Sequence, residues 1–268
     1  METSDRIASA RPLDKSAEIA AGGQALRARV PRDFRALRRI VTAISIVLGP
    51  LAVGVVRATV PAVSPPDGKA AIAAMIANPD MARIELAAGV VATLFLPFAI
   101  VGLTRLVMRR SPILAMLGGS LALIGWALVP TLVTIDAMTY VMAHSGADAN
   151  QFASLWDQVN GNIVVNLLTT IFVVGHEFGT LLLGIGLVRT RAAPLWAAVA
   201  VMLGILLHPV GFALGIRPLD ILGFALLVIG CVAAARAILI IPNDAWDLPS
   251  LPVYKATRML SARQDNKV

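Results

Sequence analysis

A histidine and a glutamate stand side by side, His176-Glu177, near the middle of an apolar run over residues 163–188. Both side chains can take or give a proton. An ionised carboxylate at mid-bilayer costs at least about 2.5–3.5 kcal/mol, so Glu177 requires a partner, a proton or a wet cavity. At about 100° per residue, Asn166, Thr170, Glu177 and Thr180 share one narrow sector of a helix, with Thr169 and His176 on its shoulder. Gly175, Gly179 and Gly186 fall on the opposite face, where they admit a closely packed neighbour. Burial favours the uncharged form of both a carboxyl and an imidazole, a combination suited to relaying or donating a proton. Glu177 and His176 are therefore the expected reactive pair, with Asn166, Thr170, Thr180 and His208 as binding groups and Asp136 and Asp220 near the mouth of a shared cavity.

Known motifs narrow the chemistry. The zinc-protease pattern HExxH needs a second histidine at position 180, where Thr180 stands. A Walker loop, a dinucleotide fingerprint and a paired-aspartate motif are not evident, and the acids within the apolar runs are too scattered for a magnesium-diphosphate site. No metal site is expected. His176 and His208 lie on consecutive antiparallel runs and can together ligate a haem, the one cofactor left open, against the plainer reading in which each is bonded to a carbonyl or a hydroxyl. The single cysteine, Cys231, excludes an intrachain disulfide and a cysteine-rich metal site.

The elements that must position these residues are membrane spans. A helix crossing the roughly 30 Å hydrocarbon core needs about 20 mostly apolar residues. With 57% apolar residues, 15% charged residues and a mean hydropathy of +0.79, the chain lies far from soluble averages. Six apolar runs are long enough: 40–60, 84–108, 113–143, 163–188, 194–214 and 219–241. The third exceeds a perpendicular crossing, and tilt, a kink at Pro130 or a projecting end must absorb the excess. Arg57 and Glu85 lie at similar depth, which makes an interfacial ion pair between them the expectation. Tyr140 is expected at the interface. A short surface helix is expected near residues 69–78 and a short amphipathic turn near residues 153–159.

The expected fold is thus all-α: a polytopic bundle of six transmembrane helices over residues 37–242. A basic, disordered cytoplasmic tail (1–36) precedes it and a cytoplasmic tail (243–268) follows. Of the 23 Lys and Arg residues, 19 fall on the side of the termini and 4 on the other. The positive-inside rule then predicts both termini in the cytoplasm and a location in the cell membrane. The net charge of +7 is explained by arginines facing anionic lipid at the cytoplasmic face, without a nucleic-acid partner.

Three function classes fit this sequence. The first is a cavity that binds or moves a small lipophilic molecule with proton participation. The second is an intramembrane enzyme on a lipid or isoprenoid with Glu177 as general acid, or a haem-bearing redox protein. The third is a non-catalytic membrane partner or immunity protein whose polar residues only fix helix packing.

Overall fold

The computed structural model describes residues 33–146 and 148–246. The expected tails, 1–36 and 243–268, lie almost wholly outside the described residues. Residues Ala36–Trp246 form one compact unit.

The described chain is all-helical, and six helical segments are long and apolar enough to cross a membrane. The first two spans are α1 (Arg35–Thr59) and α3 (Pro79–Met108), joined through a short helix, α2 (Gly68–Ala77). The third is a broken span of α4 (Pro112–Trp126) and α5 (Val129–His144). After a second short helix, α6 (Ala149–Asn160), the fourth span is α7 (Ile163–Thr190), the fifth α8 (Leu195–Ala213) and the sixth α9 (Arg217–Ile240). A single turn, α10 (Asn243–Trp246), follows.

Local chemistry explains where these helices begin. Asp67, Asp148 and Asn162 cap α2, α6 and α7 by accepting from the amides of Ala70, Asn150 and Val164 at 2.8–2.9 Å. Pro79, Pro112, Pro130 and Pro218 sit in first turns, where the missing N–H costs nothing. The break in the third span has the same origin. Pro130 has no N–H to offer the Trp126 carbonyl one turn back, so the helix is interrupted at residues 127–128, near the span's midpoint.

Small residues set the packing. Between α4 and α7, a Cβ on Gly125 would lie 2.6 Å from the Gly175 carbonyl carbon, and one on Gly179 would collide with Ala122. Between α8 and α9, Ala197, Val201, Gly204, His208 and Gly211 face Asp220, Gly223, Leu227 and Gly230, so the two antiparallel backbones nearly touch. Large side chains such as Leu94, Phe98, Ile113, Ile163, Phe178 and Ile240 point outward and are more than half exposed. Lipid gives no hydrophobic drive for helix association, and close backbone contact through small residues takes its place.

At the loop end of the bundle, away from the start of α1 and the end of α9, α2 and α6 pack on each other. The Gly68 amide donates to Asp157 Oδ1 at 2.8 Å, and the Ala153 carbonyl leaves no room for a Cβ at Gly68. Arg83 Nε donates to the Tyr140 hydroxyl at 2.9 Å, linking α3 to α5. At the other end, an Arg39 guanidinium nitrogen donates to the Ile241 carbonyl, and Arg110 Nη1 donates to the Thr190 carbonyl at 3.0 Å.

The expected Arg57–Glu85 ion pair does not form. Arg57 instead holds Asp220, with Nη2 to Oδ2 2.7 Å and Nε to Oδ2 2.8 Å. The cause is the placement of α1 against α9. Gly54 abuts Phe224, and in an antiparallel pair the residue one turn beyond Gly54 meets the one a turn before Phe224. Arg217 Nη2, donating to the Val60 carbonyl at 2.7 Å, fixes the same ends together.

Candidate functional site

Four helices contribute side chains to one polar cluster at mid-bundle. His176, near the centre of α7, is 1% exposed, and His208 on α8 packs against it with ring centroids 5.9 Å apart. Phe172 stacks on His176 at 4.3 Å and Trp126, from the end of α4, lies at 4.8 Å. The Gly125 contact with α7 is what brings Trp126 to this ring. On the far side of His208, Phe224 lies at 4.6 Å.

Hydrogen bonds fix both imidazoles. His176 Nδ1 is 2.7 Å from the Phe172 carbonyl oxygen. A carbonyl only accepts, so Nδ1 carries the hydrogen and the neutral ring keeps a bare lone pair on Nε2. His208 Nδ1 lies 2.6 Å from Asp220 Oδ1, and Asp220, fully buried, also receives Arg57 on its other oxygen. Arg57 in turn lies over the Phe212 ring at 4.9 Å. The result is a chain Arg57–Asp220–His208 that ends beside His176.

Glu177 completes the cluster. Its Oε1 is 3.0 Å from His176 Nε2, yet neither atom makes a hydrogen bond among the described residues and both are buried. One ligand-type atom from each of His176, Glu177 and His208 lies within 4.8 Å of the others.

This cluster borders a cavity of about 380 Å3. The cavity runs from Trp126, His176 and Phe224 at mid-bundle to Pro61, Ser64 and Trp156 beneath the loop-end helices. Its wall is apolar apart from Arg57, Glu85, Asp136, Glu177 and the two histidines, with a few hydroxyl and amide groups. Glu85 is 2% exposed and its Oε2 has no hydrogen-bond partner among the described residues. A pocket of this size, mostly apolar with a few convergent polar groups, is the usual form of a small-molecule site.

The other residues singled out in the sequence take varied positions. Asp136 lines the cavity together with Glu85. Thr180 is buried 3.4 Å from Trp126 Nε1. Asn166 and Thr170 are exposed, away from the cavity wall, and bond to backbone carbonyls: Asn166 to Asn160 and Asn162, Thr170 to Asn166. The face of α7 that lines the cavity is Val165, Thr169, Phe172, Val173 and His176. It is turned by roughly one residue, about 100°, from the Asn166–Thr170–Glu177 stripe, and Glu177 borders the cavity from its edge.

Trp126, Phe172 and the Arg57–Asp220 bond were not indicated by motif reasoning. Phe172 had a local signal, since an aromatic four residues before a helical histidine meets its ring. No metal site was expected because no ligand motif is present, yet the fold gathers two imidazoles and a carboxylate from two stretches of sequence. Compared with known protein families, curated proteins and solved structures, the chain matches none.

Proposed function

We propose that the cavity binds or moves a small lipophilic molecule, with its polar end against His176, Glu177 and His208 and with a proton exchanged there. The observation that carries this reading is the apolar cavity of about 380 Å3 ending on buried ionisable groups whose hydrogen-bonding capacity is unfilled. Unfilled buried polar atoms are costly, and a ligand that satisfies them recovers that cost. The break in the third span supports the same reading. Interrupted helices within a membrane occur where the backbone lines a cavity, and Trp126 and Val129 on either side of the break both line this one.

The placement in the membrane belongs to this proposal. Both termini face the cytoplasm, the arginines at that end meet anionic lipid, and the cavity reaches toward the outer side of the cell membrane.

Native mass spectrometry of the purified protein tests ligand binding. The wild-type chain is expected to carry a small amphiphile that Val56→Trp, which fills the cavity from α1, excludes while leaving the melting temperature within a few degrees. In proteoliposomes, binding or flux of that molecule is expected to depend on pH, and Glu177→Gln is expected to flatten the dependence. An empty wild-type protein, or a Glu177→Gln profile superimposable on wild type, contradicts the reading and leaves a protein whose polar residues only fix helix packing.

A second reading is an enzyme acting on a lipid or isoprenoid, with Glu177 as general acid. What favours it is the Glu177 Oε1 at the cavity, committed to no hydrogen bond. Conversion of a co-purified lipid by wild type but not by Glu177→Gln distinguishes it from passive binding.

A further inference from the structure

We propose that His176, Glu177 and His208 form a binding site for one divalent transition-metal ion of the zinc class. The inference deepens the reading of the cavity as a ligand site, and it rests on that reading only for what the metal meets.

The side chains are arranged as metal ligands are. One ligand-type atom from each of the three lies within 4.8 Å of the others. His176 Nε2 and Glu177 Oε1 are 3.0 Å apart without a hydrogen bond. With Nδ1 hydrogen-bonded to the Phe172 carbonyl, a neutral His176 and an ionised Glu177 present lone pairs to each other, a repulsive contact in a buried setting that a proton or a metal ion between them relieves. Metal–nitrogen and metal–oxygen bonds of about 2.0–2.2 Å place tetrahedral ligand atoms roughly 3.3–3.5 Å apart, close to this separation. The widest pair needs to close by roughly 1.3–1.5 Å on loading to reach the same spacing.

The surroundings carry an independent signal. A metal-binding histidine ordinarily donates its other ring N–H to a carboxylate or a backbone carbonyl, which fixes the tautomer and the ring. Both arrangements are present: His208 Nδ1 on Asp220 at 2.6 Å and His176 Nδ1 on the Phe172 carbonyl at 2.7 Å. His176 is 1% exposed and its Nε2 has no hydrogen-bond partner among the described residues. Two imidazoles and one carboxylate suit zinc and its neighbours rather than magnesium or calcium, which select all-oxygen ligands. Three protein ligands leave a position open, and His176, Glu177 and His208 all border the cavity. Water or the polar end of the cavity's occupant would fill that position.

The test uses the tag-free, full-length protein in detergent, stripped with a chelator and dialysed against Zn2+ or, as a coloured substitute, Co2+. Wild type is expected to retain one equivalent of Zn2+ and to show the visible bands of four- or five-coordinate Co2+, while Mg2+ neither binds nor competes. His176→Gln, Glu177→Gln and His208→Gln are each expected to weaken binding at least tenfold. Asp220→Asn, which touches no proposed ligand atom but weakens the hold on His208 as well as the pairing with Arg57, is expected to weaken it about 10–100-fold. Wild-type protein that holds no stoichiometric Zn2+ overturns the proposal without reference to any variant's folding, as do a Soret band from haem and triad variants that bind as tightly as wild type. If wild type binds no metal but still carries its amphiphile, only the metal inference fails. If metal binds while the cavity stays empty, the ligand reading fails and the metal site stands.

Discussion

Replacing Asp220 by leucine is expected to lower stability by about 3–5 kcal/mol, the cost of breaking a buried ion pair by removing one partner. Asp220 is fully buried and serves two donors, Arg57 at 2.7 Å and His208 at 2.6 Å. Without it the guanidinium, held over Phe212, loses its directly bonded anion, and His208 loses the acceptor that sets its ring. Because the penalty comes chiefly from the stranded cation, Arg57→Met combined with Asp220→Leu is expected to restore at least about 2 kcal/mol of it. Unfolding of the four proteins of this double-mutant cycle in bicelles measures the coupling. Additive losses in the double variant would show that the two side chains do not depend on each other.

The second large effect is expected from one methyl group. Gly125→Ala introduces a Cβ 2.6 Å from the Gly175 carbonyl carbon and closer still to the His176 amide nitrogen, against backbone that has no rotamer with which to yield. Overpacking of this kind typically costs about 1–3 kcal/mol, and the strain falls where α4 and α7 hold Trp126 against His176. Gly54→Ala is the control. Its Cβ meets Phe224 at 3.4 Å, an ordinary contact, and alanine favours the helix by about 1 kcal/mol over glycine, so that variant is expected to be neutral or stabilised. Melting temperatures of the two variants, together with tryptophan emission in a background where Trp156, Trp196 and Trp246 are replaced by phenylalanine, check the contrast. A Gly125→Ala protein as stable as Gly54→Ala would contradict the close approach of α4 and α7.

The spans were legible because a bilayer leaves backbone few choices. Each segment must satisfy its own hydrogen bonds over a fixed length, so apolar runs such as 163–188 and 219–241 declare themselves. For the long third span a kink at Pro130 stood beside tilt and a projecting end, and the interruption lies just before that proline. Partner choice was not legible. Arg57 has Glu85 at similar depth in the sequence reading, and only the packing of α1 on α9 gives it to Asp220. A signal for the α8–α9 seam was present: small or polar residues at 197, 204, 208 and 211 and at 220, 223 and 230, with Val201 and Leu227 between them, follow a seven-residue repeat that sets His208 and Asp220 on facing stripes. Asn166 and Thr170 mislead for a different reason. Polar side chains on a helix can satisfy themselves on backbone carbonyls, so an angular alignment with Glu177 does not require a shared cavity.

The angular position of Glu177 decides the whole account, because a carboxyl that borders an internal cavity and a carboxyl that faces acyl chains call for different functions. A nitroxide scan of residues 174–181, reading collision with oxygen in the bilayer, measures it directly. Val174 and Phe178 are exposed on the bundle surface, His176 and Thr180 are buried, and the Glu177 side chain is 13% exposed. Oxygen accessibility is therefore expected to peak at 174 and 178, reach its minimum at 176 and 180, and stay low at 177. A value at 177 as high as that at 178 would place the acid in lipid and contradict the site.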